Sequence, residues 1–135
     1  MGKSFIEEHI DRWTKAWNDH DIKSIISMYA ENIEFSSPKI GLLMPEKMAT
    51  SDNKAMISNK QDLQRYFSIG LAKFPKLRFT PITFLTEQNM VLLEYVCEPY
   101  ENVKWHVIEK FEFEGELIAR SSVFYGPEES KVVID

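Results

Sequence analysis

The 135-residue sequence has a single cysteine, Cys97, so no intrachain disulfide can form and a cysteine-rich zinc site is excluded. It has no glycine-rich phosphate loop, so a nucleotide cofactor is not implied. The longest apolar stretches, such as Met90-Val91-Leu92-Leu93, fall far short of a bilayer span. Met1-Gly2-Lys3-Ser4 runs straight into Glu7 and Glu8 with no apolar signal region. The expectation is a cytoplasmic protein with no membrane partner. Sixteen Lys and Arg against 21 Asp and Glu give a net charge of -5, and neither sign forms a long block. The basic footprint of a nucleic-acid binder is therefore missing. His9, His20 and His106 share no ligand spacing with acidic clusters, so no metal site is expected.

What is present is ordinary globular material. Hydrophobic residues at 44% and charged residues at 27% are enough for a packed core, and the length suits one domain spanning residues 1–135. Ser4 with Glu7 three positions on has the capping-box form. Behind it, Ile6, Ile10, Trp13 and Trp17 recur at helical spacing as an aromatic-rich inward stripe. The polar run Asn18-Asp19-His20-Asp21 separates this helix from a shorter one carrying Ile22, Ile25, Ile26 and Tyr29. Ile33-Glu34-Phe35 is a brief strand ended before Pro38. From Lys39 to Ile57 no period is sustained, although the segment is apolar. Ser58 with Gln61 repeats the capping-box form and opens a third helix through Leu63, Tyr66, Phe67, Leu71 and Phe74, ending before Pro75.

Four strands are expected after it, at Leu77 to Leu85, Met90 to Glu98, Val103 to Phe113 and Leu117 to Tyr125. Their short, turn-rich links imply an antiparallel meander. In the third of these, Val103, Trp105, Val107, Phe111 and Phe113 alternate with Lys104, His106, Ile108, Lys110 and Glu112, which gives one packed and one open face. Val91, Leu93, Tyr95 and Cys97 form the packed set of the preceding strand, and pairing the two strands brings Glu94 near His106 on the outer face. Glu109 breaks the pattern, as a carboxylate on the packed face. It must find donors, take up a proton or border a water-holding cavity. Arg120, or tyrosine and tryptophan donors, could satisfy it as a structural group. Alternatively it is a general acid or base in a pocket between sheet and helices. A two-residue turn at Glu114-Gly115 would set Arg120 opposite Glu109, and a three-residue turn would set Ser121 there.

The order helix, helix, strand, loop, helix, meander resembles the nuclear-transport-factor-2-like superfamily. That superfamily is a cystatin-like fold that includes SnoaL-like polyketide cyclases and ketosteroid isomerases. The likeness rests on Trp17-Asn18-Asp19-His20-Asp21, on Tyr29-Ala30-Glu31-Asn32-Ile33-Glu34-Phe35 and on Phe74-Pro75-Lys76-Leu77-Arg78-Phe79. It implies an α+β fold in which a cone-shaped, curved antiparallel sheet wraps around three helices. It also implies a pocket at the open end and pairing through the outer sheet face. The segment from Lys39 to Ile57 would then be a mobile lid over the opening. Ile108-Glu109-Lys110-Phe111-Glu112-Phe113-Glu114-Gly115 is similar to the isomerase strand that carries the acidic hydrogen-bond donor, with Glu109 at the acid. The isomerase base, an aspartate before a proline, is replaced by Ser37 before Pro38, and the first-helix tyrosine falls on Trp13.

The candidate site is therefore Glu109 as acid or base. Trp13, Trp17, Tyr29, Phe35, Ser37, Tyr95, Trp105, Val107, Phe111 and Arg120 are the candidate ligand contacts. Cys97 is read as a small hydrophobe, His9 as a core histidine and His20 as a helix terminator. Three functions follow. One is a cofactor-independent acid–base enzyme of isomerase, cyclase or hydrolase type acting on a small hydrophobic molecule. The others are a non-catalytic binder of such a molecule and a dimeric protein-interaction module. A homodimer through the outer face is expected, with Met90, Leu92, Val96 and Ile108 supplying its apolar area.

Overall fold

The computed structural model describes residues 2–48 and 55–130. Helix α1 (Lys3–Asn18) presents Ile6, Ile10, Trp13 and Trp17 to the core, as their spacing predicts. It starts two residues earlier than a Ser4 cap would place it, with Gly2 at the N-cap and no side-chain cap, so Ser4 and Glu7 form no capping box. Asp21 does cap α2 (Ile22–Ile26), accepting the Ser24 backbone N–H at 3.2 Å. That helix is a single turn, and Tyr29 opens strand β1 (Tyr29–Ser36) instead of closing the helix.

The aperiodic stretch after Pro38 is folded in pieces. It contains α3 (Ile40–Leu43), a 3-10 turn (Pro45–Met48) and β2 (Met56–Ile57), and the intervening residues 49–54 lie outside the described part. Ile40, Met44 and Ile57 have no exposed surface, so these pieces are pinned to the core by short apolar anchors too sparse to form a period. Helix α4 (Lys60–Lys73) is capped by Asn59, which accepts the Asp62 N–H at 2.8 Å. Ser58 is therefore not the cap. The meander follows as β3 (Arg78–Glu87), β4 (Met90–Glu98), β5 (Val103–Glu114) and β6 (Leu117–Ser130). Its turns place Gln88, Asn102 and Gly115 at positive φ, which reverses the chain within a few residues.

The six strands form one curved sheet in the order β2-β1-β6-β5-β4-β3. The sheet is not wholly antiparallel, because β1 runs parallel to β6. These two strands are separated in the chain by α3, β2, α4 and the first three strands of the meander, so no hairpin turn dictates their direction. Alternation along β5 is as expected: Val107, Glu109, Phe111 and Phe113 are buried, and Lys104, Ile108 and Glu114 are exposed. On the outer face Glu94 pairs with Ile108 and Val96 with His106, so Glu94 and His106 are diagonal neighbours. Helices α1, α2 and α4 fill the concave side, giving the α+β cone. Among the described residues no helix is long and apolar enough to cross a membrane.

Candidate functional site

Between the concave face of the sheet and α3 and α4 lies a cleft of about 610 Å³, its open mouth included. Its walls are aromatic and aliphatic, with Glu109 and Lys39 as the only carboxylate and amine among the lining residues. Glu109 is 4% exposed and sits between Leu93 of β4 and Val123 of β6. Two diagonal neighbours on the same face satisfy it. The Tyr95 hydroxyl donates to Oε1 at 2.8 Å and the Ser121 hydroxyl donates to Oε2 at 2.8 Å. Burial pushes the carboxyl up from 4.5 to about 7, and the two hydroxyl donors pull against that rise.

Arg120 is not its partner. The hairpin turns through Gly115-Glu116, with Glu114 paired to Leu117, and a β-bulge between Glu112 and Phe113 adds one residue, so Val123 lies opposite Glu109 and neither register considered for Arg120 or Ser121 is formed. Arg120 points to the outer face, where its guanidinium bonds the Glu112 carboxylate, so it is no ligand contact. Ser121 reaches Glu109 along the diagonal instead.

Of the other expected contacts, Trp17, Phe35, Ser37, Tyr95 and Trp105 line the cleft. Trp13, Tyr29, Val107 and Phe111 stand behind its wall as buried core. The Trp13 indole N–H donates to the Tyr29 hydroxyl at 3.2 Å, and its ring stacks on Phe79 with centroids 5.2 Å apart. An inward stripe does not distinguish core from cavity wall, because both are apolar and both face the sheet.

Several wall residues were not singled out from the sequence as site residues. Tyr66 and Tyr125 flank Ser37, and each is within hydrogen-bonding reach of its hydroxyl. Burial pushes the Tyr66 phenol up to about 12 and Tyr125 higher still, so both are neutral donors at physiological pH. Phe67, Phe74, Phe79 and Val123 complete the apolar wall. Cys97 also lines it, with burial pushing its thiol up to about 12, which makes it inert as a nucleophile at neutral pH. Lys39 sits at the mouth with its ammonium 4.0 Å from the Trp105 ring centroid and 4.5 Å from that of Tyr125. The tyrosines carried a legible signal, since a phenol on a packed face needs somewhere to put its hydroxyl. Lys39 carried none, because it falls where periodicity is lost.

His9 and His20 lie outside the cleft. His9 is buried against Phe111 and Phe113, and burial lowers its pKa to about 4. His20, two residues past the end of α1, has a positive φ and meets the Leu77 carbonyl at 2.8 Å. Among the described residues no cluster of His, Cys, Asp and Glu could hold a metal ion.

Residues 10–121 match the family model of the SnoaL-like domain. A SnoaL-like protein of unknown function from Burkholderia thailandensis E264 superposes with a TM-score of 0.81 at 24% identity, covering 93% of this chain and 98% of that one. An NTF2-like protein from Anabaena variabilis ATCC 29413 superposes at 0.72 with 12% identity, covering 94% and 90%. A protein with a ketosteroid isomerase-like fold from Catenulispora acidiphila DSM 44928, in complex with trimethylamine, superposes at 0.67 with 13% identity, covering 86% and 83%. A search of curated proteins finds no significant match.

Proposed function

The chain belongs to the SnoaL-like domain family, and from that membership and the chemistry of the cleft we propose that it is a cofactor-independent acid–base enzyme acting on a small apolar carbonyl compound. The observation that carries this reading is Glu109, a single carboxyl buried in an aromatic cleft and pushed up to about 7. A group that titrates near neutrality is populated in both forms, which is the condition for efficient proton transfer. As carboxylate it takes a proton from carbon next to the ligand carbonyl, and the electron pair moves onto the carbonyl oxygen. The neutral hydroxyls of Tyr66 and Tyr125 stabilise that developing oxyanion. Return of the proton from Glu109 to a different carbon completes an isomerisation, and capture of the carbanion by a second carbonyl, with the Glu109 proton passing to the alkoxide so formed, completes a cyclisation.

Glu109→Gln tests the reading. The amide keeps the volume, its oxygen still accepts from one hydroxyl while the other must turn to accept from its NH2, and it cannot exchange the proton. Ligands found by thermal shift should still bind the variant, while turnover falls by roughly 10²-fold or more. A second reading, a non-catalytic binder, is favoured by the full satisfaction of both Glu109 oxygens. Binding with no turnover by the wild-type protein would select it. The reading includes a homodimer through the outer sheet face, where Ile108 and Phe124 are 44% and 57% exposed. Proton chemistry in an aromatic cleft needs no compartment-specific oxidant, in keeping with a cytoplasmic location.

A further inference from the structure

We infer that Lys39 is a specificity-determining residue which selects ligands carrying an anionic group at the mouth of the cleft. The inference rests on the cleft being a small-molecule site and names the class of molecule it takes. Lys39 is held in place by its surroundings. It follows Pro38, its backbone N–H donates to the Ser37 hydroxyl at 3.3 Å, and the next residue, Ile40, is completely buried. From that anchor its side chain crosses the mouth, and the ammonium rests against the faces of Trp105 and Tyr125. Lysines elsewhere on the surface, such as Lys15 and Lys47, are paired with carboxylates. Among the described residues no carboxylate pairs with Lys39. Two ring faces supply only part of what water or an anion gives an ammonium, so the charge remains available to a ligand.

The wall beside it holds a second unspent donor. Trp17 lines the cleft and is 8% exposed, and its indole N–H has no acceptor. Ser37, Tyr66 and Tyr125 bring three hydroxyl protons, and the contacts from Ser37 to the two phenols use at most two of them. The cleft thus offers more donors than its own acceptors consume, and the missing acceptors are what a ligand oxygen supplies. The fitting ligand is an aromatic or polycyclic carbonyl compound with a carboxylate or ionised enol near its outer end. Its ring would lie between the aromatic walls and its acidic oxygens would meet the Lys39 ammonium. A cationic ligand is the competing occupant for an aromatic pair, but here the chain's own ammonium already occupies those ring faces.

Calorimetric titration with naphthoate, naphthamide and naphthyltrimethylammonium at neutral pH tests this on one ring with three charges. Naphthoate should bind the wild-type protein roughly tenfold tighter than the amide, the scale of one charge-assisted contact, and its affinity should fall with added salt. Lys39→Met, which keeps the stem, should erase that preference by weakening naphthoate far more than the amide. Lys39→Arg should retain part of it, and Lys39→Gln provides a second neutral variant should the Met change destabilise the mouth. Equal binding of acid and amide by the wild-type protein, or a preference that survives Lys39→Met, would overturn the inference while leaving the small-molecule site intact. Tightest binding by the ammonium compound would overturn it in favour of a cation site. Binding of none of the three would overturn both the inference and the proposed ligand class.

Discussion

Glu109 and His9 are both buried ionisable residues, and they respond to burial with opposite consequences for pH. Glu109 is raised from 4.5 to about 7, so the folded protein holds a proton that the unfolded chain has lost between those values. Its contribution to stability is fully present below 4.5 and is lost as pH rises through about 7. The full loss is roughly 3 kcal/mol. His9 is lowered from 6.5 to about 4, so the unfolded chain binds the extra proton and stability falls as pH drops through that window. The two slopes oppose each other between about 4.5 and 6.5, and above that range the Glu109 slope outlasts the fading one of His9. The expected result is a flat stability profile in mildly acidic solution that declines from pH 6.5 to 8. Glu109→Gln should remove that decline, as chemical denaturation across the pH series would show, and a decline that persists in the variant would assign it to other groups. Glu109 was visible in the sequence because one charge on a strictly alternating strand cannot be hidden. Its partners were not, because the turn falls at Gly115-Glu116 and a bulge between Glu112 and Phe113 moves every facing residue by one more.

At the scale of elements, the strands of the meander were the most legible feature, and β4 runs from Met90 to Glu98 as its alternation dictates. Two-residue periodicity is a local signal and needs no tertiary information. The helix caps at Ser4 and Ser58 and the length of β1 were misjudged, since capping motifs compete with neighbouring residues and a strand buried beneath helices lacks polar alternation. One junction does more for the site than its sequence suggests. Asn18, the last residue of α1, donates to the Phe79 carbonyl at 3.0 Å and accepts the Phe79 N–H at 2.7 Å. This pair of bonds ties the helix to β3 and holds the Phe79 ring against Trp13, Trp17 and Tyr95. Asn18→Ala would leave two part-buried backbone groups unpaired, and the expected cost is about 1–3 kcal/mol. Thermal or urea unfolding measures it, and a change within error would mean that water replaces the amide.

For the whole molecule, the outline of a sheet wrapped around helices followed from the order of elements, whereas the cleft did not. Its walls come from α1, β1, α3, α4 and the four meander strands, and only three-dimensional packing brings Lys39, Tyr66 and Tyr125 together. The parallel seam between β1 and β6 that closes the cone was equally out of reach, because the strands are remote in sequence. The outer face makes a separate prediction. A face carrying exposed Ile108 and Phe124 among charged residues suits contact with a second copy, and light scattering at micromolar concentration should give twice the 15.8 kDa chain mass. A monomer mass would remove the dimer and leave the cleft unaffected.

Acid–base chemistry in the cleft requires a carboxyl poised near neutrality. Carbon-detected NMR titration of the Glu109 side-chain carboxyl, assigned by its disappearance in Glu109→Gln, measures this directly. The predicted midpoint is about 7, the value at which one group can act as both acid and base. A midpoint at or below 4.5 would show an ionised structural carboxylate held by Tyr95 and Ser121, and would contradict the acid–base role.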